Sequence, residues 1–171
     1  MTDNKKQTTE PALYSKGEEI FNMVSHIVGG AFAIAAVTLC IIMAAFHKNI
    51  WGVVSGAIYG GSMVILYTMS SLYHGLRPNK AKKVFRVIDH CSIFFLIAGT
   101  YTPYMLSGLR PYKPELAWTI FGVIWGAAAL GISLTAVNMK KFKVFSMIIA
   151  VYRTCRSAAF GTLQFSEYYS F

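Results

Sequence analysis

The chain has 171 residues, a net charge of +9 and 55% hydrophobic residues. Its mean hydropathy is +0.48 and only 13% of its residues are charged, about half the share usual for a soluble domain. Because the apolar residues fall in runs of about 20 or more, the length needed to cross a bilayer, the composition points to an integral membrane protein of one domain.

Residues 1–19 form a polar tail of both charge signs, whose end (Gly17-Glu18-Glu19-Ile20-Phe21-Asn22) suits the start of a helix at the membrane surface. A first span is expected from Ile20 to Phe46, with His26 near its beginning and a small side made by Gly29, Gly30, Ala33 and Ala36. His47-Lys48-Asn49 is a short turn in which His47 reads as a solvated residue. The second span, Trp51 to Tyr73, opens on an interfacial Trp and carries Gly52, Gly56 and Gly60 on one face. That spacing reads as helix packing in lipid, since a phosphate loop needs a preceding strand and another spacing.

A basic stretch follows, with Arg77, Lys80, Lys82, Lys83 and Arg86, and then a third span from Val87 to Leu106. Pro103 lacks a backbone donor and is expected to kink or end that helix. The fourth span, Leu116 to Val137, has Gly122 and Gly126 at the same four-residue spacing. A fifth apolar run starts at Val144 and is interrupted by Arg153 and Arg156, so the expected organisation is a tail (1–19), a membrane domain (20–152) and a divergent tail (153–171). The expected fold is all-α, a polytopic transmembrane helix bundle with four clear spans and a partial fifth.

The basic residues lie in short loops, five after the second span and three after the fourth, against one and two after the first and third. This alternation puts the rich loops and the N-terminus in the cytoplasm and argues against nucleic acid as the partner of the positive charge. Cys40, Cys91 and Cys155 are odd in number and have no CxxC spacing, so no disulfide framework or zinc ribbon is expected. Cys40 and Cys91 read as small buried hydrophobes.

The chemistry-bearing residues gather between Ser70 and Asp89. Ser70 and His74, four apart, share one helix face, and a short connection returns the chain to the same membrane surface at Asp89. Asp89 is the one acid within an apolar run, a costly placement that usually faces a protein interior or a watery cavity. A histidine can ligate zinc, a carboxylate can take a proton from water, and a hydroxyl can donate to an oxyanion. Plainer readings stand beside these. His74 can be a hydrogen-bonded helix-end residue, Asp89 a helix cap or a partner of Arg86, and Ser70 bonded to its own backbone. His90 points about 100° away from Asp89 around a helix and is a poorer co-ligand. His26 reaches the same leaflet and either joins the site or packs there.

Three stretches resemble the haemolysin III family, the bacterial branch of the progestin and adipoQ receptor group: Gly17-Glu18-Glu19-Ile20-Phe21-Asn22 with Ser25-His26; Ser70-Ser71-Leu72-Tyr73-His74; and Ile88-Asp89-His90 through to Pro103-Tyr104. The resemblance implies a seven-helix bundle in the bacterial inner membrane, with a cytoplasmic N-terminus and a zinc site near the cytoplasmic leaflet. It makes His74 a zinc ligand, Asp89 the acid that holds the metal-bound water and Ser70 the serine of an SxxxH motif; His26, from its place in the same leaflet, is a further candidate ligand. It also implies a ceramidase-like hydrolase of lipid amides, with the lipid bilayer as partner and a lipid as substrate. Cytolysis by channel formation, and a membrane-homeostasis receptor without catalysis, are the alternatives. The family completes its zinc site with a HxxxH pair on the seventh helix, whereas no histidine follows His90 here. The expectation is therefore an incomplete site in a truncated or frame-shifted product, with a chain that has no activity as a further alternative.

Overall fold

A computed structural model describes residues 14–137, which form four long helices joined by short turns. They are α1 (Lys16–Phe46), α2 (Ile50–Gly75), α3 (Lys80–Pro103) and α4 (Pro114–Val137), with a single π-helical stretch, Tyr104–Leu109, continuing α3. All four are long and apolar enough to cross a membrane. In hydrocarbon every backbone group must be satisfied within the protein, so helices are the economical answer to these apolar runs. The fifth run, the 153–171 tail and Cys155 lie outside the described residues.

The helix ends follow local chemistry. Ser15 caps α1 in a reciprocal box: its hydroxyl accepts from the Glu18 backbone N–H at 3.3 Å, and the Glu18 carboxylate accepts from the Ser15 N–H at 2.7 Å. Asn49 and Asn79 cap α2 and α3 with side-chain oxygens that accept from Gly52 N–H at 2.9 Å and Lys82 N–H at 2.8 Å. Pro114 opens α4, where a missing N–H costs nothing.

Two boundaries depart from the sequence expectation. The basic stretch is mostly helix: Lys80 to Arg86 are the first two turns of α3, because Asn79 starts the helix there and Lys and Arg are good helix formers. Pro103 ends the α-helical pattern of α3 without breaking the helix. The chain widens into the π stretch, where the Arg110 N–H donates to the Met105 carbonyl, five residues back, at 2.9 Å.

Glycines set the seam between α1 and α2. A Cβ at Gly30 would lie 3.2 Å from the Tyr67 side chain, one at Gly56 3.0 Å from Ile41, and one at Gly52 3.0 Å from Ala44. Gly60 lies against Val37 in the same antiparallel progression, so the Gly52, Gly56, Gly60 ladder is a packing face as expected. On α3, Gly99 is pressed against Ser62 and the Tyr59 backbone of α2. α4 joins α3 through Gly131 against Phe94 and through the Trp125 Nε1–H, which donates to the Thr102 hydroxyl at 3.2 Å.

Gly122 and Gly126, by contrast, face nothing within 4 Å among the described residues, so their spacing is not used for contact there. An apolar groove lined by Ala57, Gly61, Phe95 and Trp125 is likewise open between α2, α3 and α4. Cys40 is exposed on α1, among the lipid-facing Phe32, Leu39 and Phe46, and only Cys91 is partly covered. At the face opposite the α2–α3 turn, Trp51 meets Trp118 edge-on at 5.8 Å and carries the Arg110 guanidinium 4.1 Å above its ring. This is the aromatic and cationic chemistry of a membrane interface.

Gly99→Ala is expected to lower stability by about 1–3 kcal/mol, because the added methyl would overpack against Ser62. Gly122→Ala, facing open space, is expected to be neutral or stabilising by up to about 1 kcal/mol from helix propensity. Thermal melts of the two variants in one detergent would check the pair; equal losses would contradict the assigned packing.

Candidate functional site at the α2–α3 turn

The antiparallel seam brings the first turns of α1 beside the last turns of α2, and α3, capped at Asn79, turns back along α2 so that Lys82 reaches Glu19 of α1. Tyr67, His74 and His26 therefore meet at one end of the bundle. His26 and His74 stack with ring centroids 6.0 Å apart and planes within 7°. His26 also sits 5.9 Å from the Tyr67 ring, and His74 lies between Tyr73 at 4.7 Å and Tyr14 at 5.7 Å.

The sequence reading missed the centre of this cluster. Glu19, which it assigned to the polar tail, turns one carboxylate oxygen to His74 Nδ1 at 2.9 Å and the other to Lys82 Nζ at 2.8 Å. The three side chains are well covered, with exposures of 17% for Glu19, 8% for His74 and 16% for Lys82. Since a carboxylate only accepts, the His74 proton sits on Nδ1, and in the neutral ring Nε2 carries the lone pair. A carboxylate holding one imidazole nitrogen so that the other can bind is the usual support of a metal-binding histidine. Lys82 also donates to the Leu76 carbonyl at 3.0 Å and lies over the Tyr73 ring at 5.3 Å. The signal was available: Glu19 and His26 are seven apart, two turns along one face of α1.

The other named residues are placed as follows. Ser70 is 4% exposed on α2, one turn before His74, and it is its neighbour Ser71 whose hydroxyl donates to the Tyr67 carbonyl at 2.7 Å. Asp89 is 14% exposed on α3 and lies within electrostatic reach of His26 and Tyr73. It does not cap α3, since Asn79 does, and among the described residues it forms no ion pair with Arg86; His90 Nδ1 stands 3.8 Å from its Oδ2. The same His90 nitrogen contacts the Arg86 carbonyl at 2.9 Å, which ties that ring to its own helix. His47 is exposed at the far end, where Nδ1 lies 2.8 Å from the Met43 carbonyl and closes the last turn of α1.

A catalytic zinc needs about three protein donors and one open position. The Glu19 support of His74 suits such a centre, yet among the described residues no three His, Cys, Asp or Glu side chains converge closely enough to hold a metal ion. These residues therefore do not by themselves fit the group that the resemblance implies.

Glu19→Ala would strand Lys82 and release His74, at an expected cost of about 1.5–3 kcal/mol, the range for hydrogen bonds to charged groups. In a double-mutant cycle with Lys82→Met, the combined loss should fall short of the sum by about 1 kcal/mol, as for groups in direct contact. Strict additivity in the melting data would contradict the pair.

The profile of a family described as Haemolysin-III related matches residues 14–167. Among curated proteins, the chain is 36% identical to a Hemolysin-3 homolog of Bacillus subtilis (strain 168) over 164 residues, covering 88% of this chain and 76% of that protein. It is 39% identical to a Hemolysin-3 of Bacillus cereus over 125 residues, which is 73% of this chain and 56% of that protein's length. No solved structure matches this chain. With four membrane-spanning helices and a family match over most of its length, the chain is a multi-pass membrane protein of the haemolysin III family.

Proposed function

We propose that the His74 cluster is the seat of the protein's activity, and that this activity is hydrolysis of a lipid amide at the cytoplasmic leaflet of the bacterial inner membrane. The observation that carries the reading is the clamp on His74: an imidazole fixed in one tautomer by Glu19, between aromatic rings and one turn from the buried Ser70. Polar side chains of this kind are costly inside an apolar bundle and mark function there. The lysine and arginine bias of the loops supports a cytoplasmic N-terminus.

In this reading Asp89 takes the proton of the attacking water as its oxygen adds to the amide carbonyl, and returns it to the departing amine. Ser70 donates its hydroxyl proton in a hydrogen bond to the oxyanion that forms. The apolar spans bring the lipid to the site within the bilayer. Zinc, when bound, would supply Lewis acidity and a water of lowered pKa. His74 and, secondarily, His26 are this chain's candidates to hold it, and the remaining donors would come from outside residues 14–137.

The test is fatty-acid release from a ceramide in proteoliposomes, with zinc content measured in parallel on this chain and on one of its longer relatives. In a form that is active, Asp89→Asn should lower the rate by at least about 100-fold and Ser70→Ala by about 10²-fold, and His74→Ala should lower zinc content. Zinc content indifferent to His74, or a rate indifferent to Asp89, would sink the reading. Zinc and hydrolysis confined to the longer relative would assign this chain half of the site and no turnover.

A second reading, membrane lysis, is supported by the names carried by the two Bacillus relatives. Against it, the span centres hold no Lys or Arg, and Asp89 is the one acid within them. Release of a trapped dye from liposomes no faster than with an unrelated membrane protein would remove it.

A further inference from the structure

Among the described residues, the end of the bundle that holds His74 also carries a positive surface that no nearby acid balances. The acids among the described residues are Glu18, Glu19, Asp89 and Glu115. Glu18 is committed to the α1 cap, Glu19 to His74 and Lys82, Asp89 lies inside the bundle, and Glu115 is at the opposite face on α4. Arg77, Lys80 and Lys83 are exposed at the α2–α3 turn.

Their placement is also unfavourable for α3 itself. Lys80, Lys82 and Lys83 stand at the helix start, with no acidic residue in the first turn. The N-terminal end of a helix already carries positive partial charge, so lysines there repel it and an anion is favoured. Glu19 compensates Lys82 alone. One turn further on, Arg86 has a buried Nε–H with no acceptor among the described residues. Arg86 follows Lys83 by three positions, so the two are neighbours on the helix surface. A place that breaks a local rule, with no compensation among the described residues, is where a functional role is to be sought.

We propose that Arg77, Lys80 and Lys83 form a docking surface for the phosphate headgroup of an anionic bilayer lipid, with Arg86 at its inner edge. Charge complementarity and position favour this occupant. The turn emerges where a membrane-spanning helix pair meets the lipid surface, and basic clusters at that height attract anionic headgroups. The surface is distinct from the His74 site, since it uses none of Glu19, His74, Ser70 or Asp89, and it stands whether or not that site turns over a substrate.

The experiment is native mass spectrometry of the full chain released from detergent micelles, with phosphatidylglycerol, phosphatidylcholine or inorganic phosphate added in separate arms. Phosphatidylglycerol should be retained at least about tenfold better than phosphatidylcholine, at roughly fivefold per basic residue engaged. The preference should fade as salt is raised. Arg77→Gln, Lys80→Gln and Lys83→Gln together should abolish it, while Lys113→Gln on the opposite face should leave it intact. A melting temperature unchanged in the triple variant ties the loss to the charges and not to folding; if that variant melts early, the single variants replace it and each should show its own graded loss. Equal retention of the two lipids, a preference that survives the triple substitution, or retention of inorganic phosphate with no lipid preference would each overturn the proposal.

Discussion

The seam between α1 and α2 is the contact on which the rest depends. Lipid gives no hydrophobic reward for bringing two apolar helices together, so their association rests on close packing. Gly30, Gly52, Gly56 and Gly60 allow it by accepting Tyr67, Ala44, Ile41 and Val37 into the space a side chain would fill. The antiparallel register that results fixes where Glu19 and His26 stand along α2. A shift of one helical turn in that register would carry the Glu19 carboxylate about 5.4 Å from its partners. The polar cluster is in this sense a product of glycines, of which Gly30 lies beside it against Tyr67 while Gly52, Gly56 and Gly60 lie far from it along the helices.

The cluster repays that placement by joining three helices at one point. Glu19 comes from α1, His74 from α2 and Lys82 from α3, and the two oxygens of the one carboxylate take a donor from each. The opposite face is fastened differently. Trp51, Trp118 and Arg110 stack through ring faces and edges, and Ser55 and Ser107 share a hydrogen bond at 3.2 Å. One end is thus held by a buried charge network and the other by interfacial aromatic packing, while between them the lipid-facing sides of α1 and α4 remain apolar and open.

The four spans were legible in the sequence because lipid imposes a length: an apolar run must reach across and must satisfy its own backbone. The start of α3 was not, since charge density masks helical propensity when Lys and Arg are read as loop. Ser15 and Glu18 had the S-x-x-E spacing of a capping box and could have placed the start of α1 four residues earlier than the hydropathy did. His74, Ser70 and Asp89 were legible as candidates from their rarity in apolar surroundings. Glu19 shares a helix face with His26, but its pairing with His74 and Lys82 depends on the α1–α2 register, which composition does not encode. The glycine pairs make the same point in reverse. Gly52, Gly56 and Gly60 have the spacing of Gly122 and Gly126, yet only the first set has a neighbour among the described residues. Spacing declares a face small; it does not say what stands against it.

The Glu19 bridge bears on how such a chain is put together. His74 lies 55 residues after Glu19, and Lys82 comes later still. Synthesis runs from the N-terminus, so α1 leaves the ribosome before either partner does. During that interval the carboxylate is kept at the water boundary by its own hydration, and the Ser15 cap holds the first turn there with it. The arrival of α2 and then α3 desolvates Glu19 in two steps, each supplying a donor as water leaves. The bridge is therefore complete only once the third helix has brought Lys82 to a carboxylate that the first two already hold.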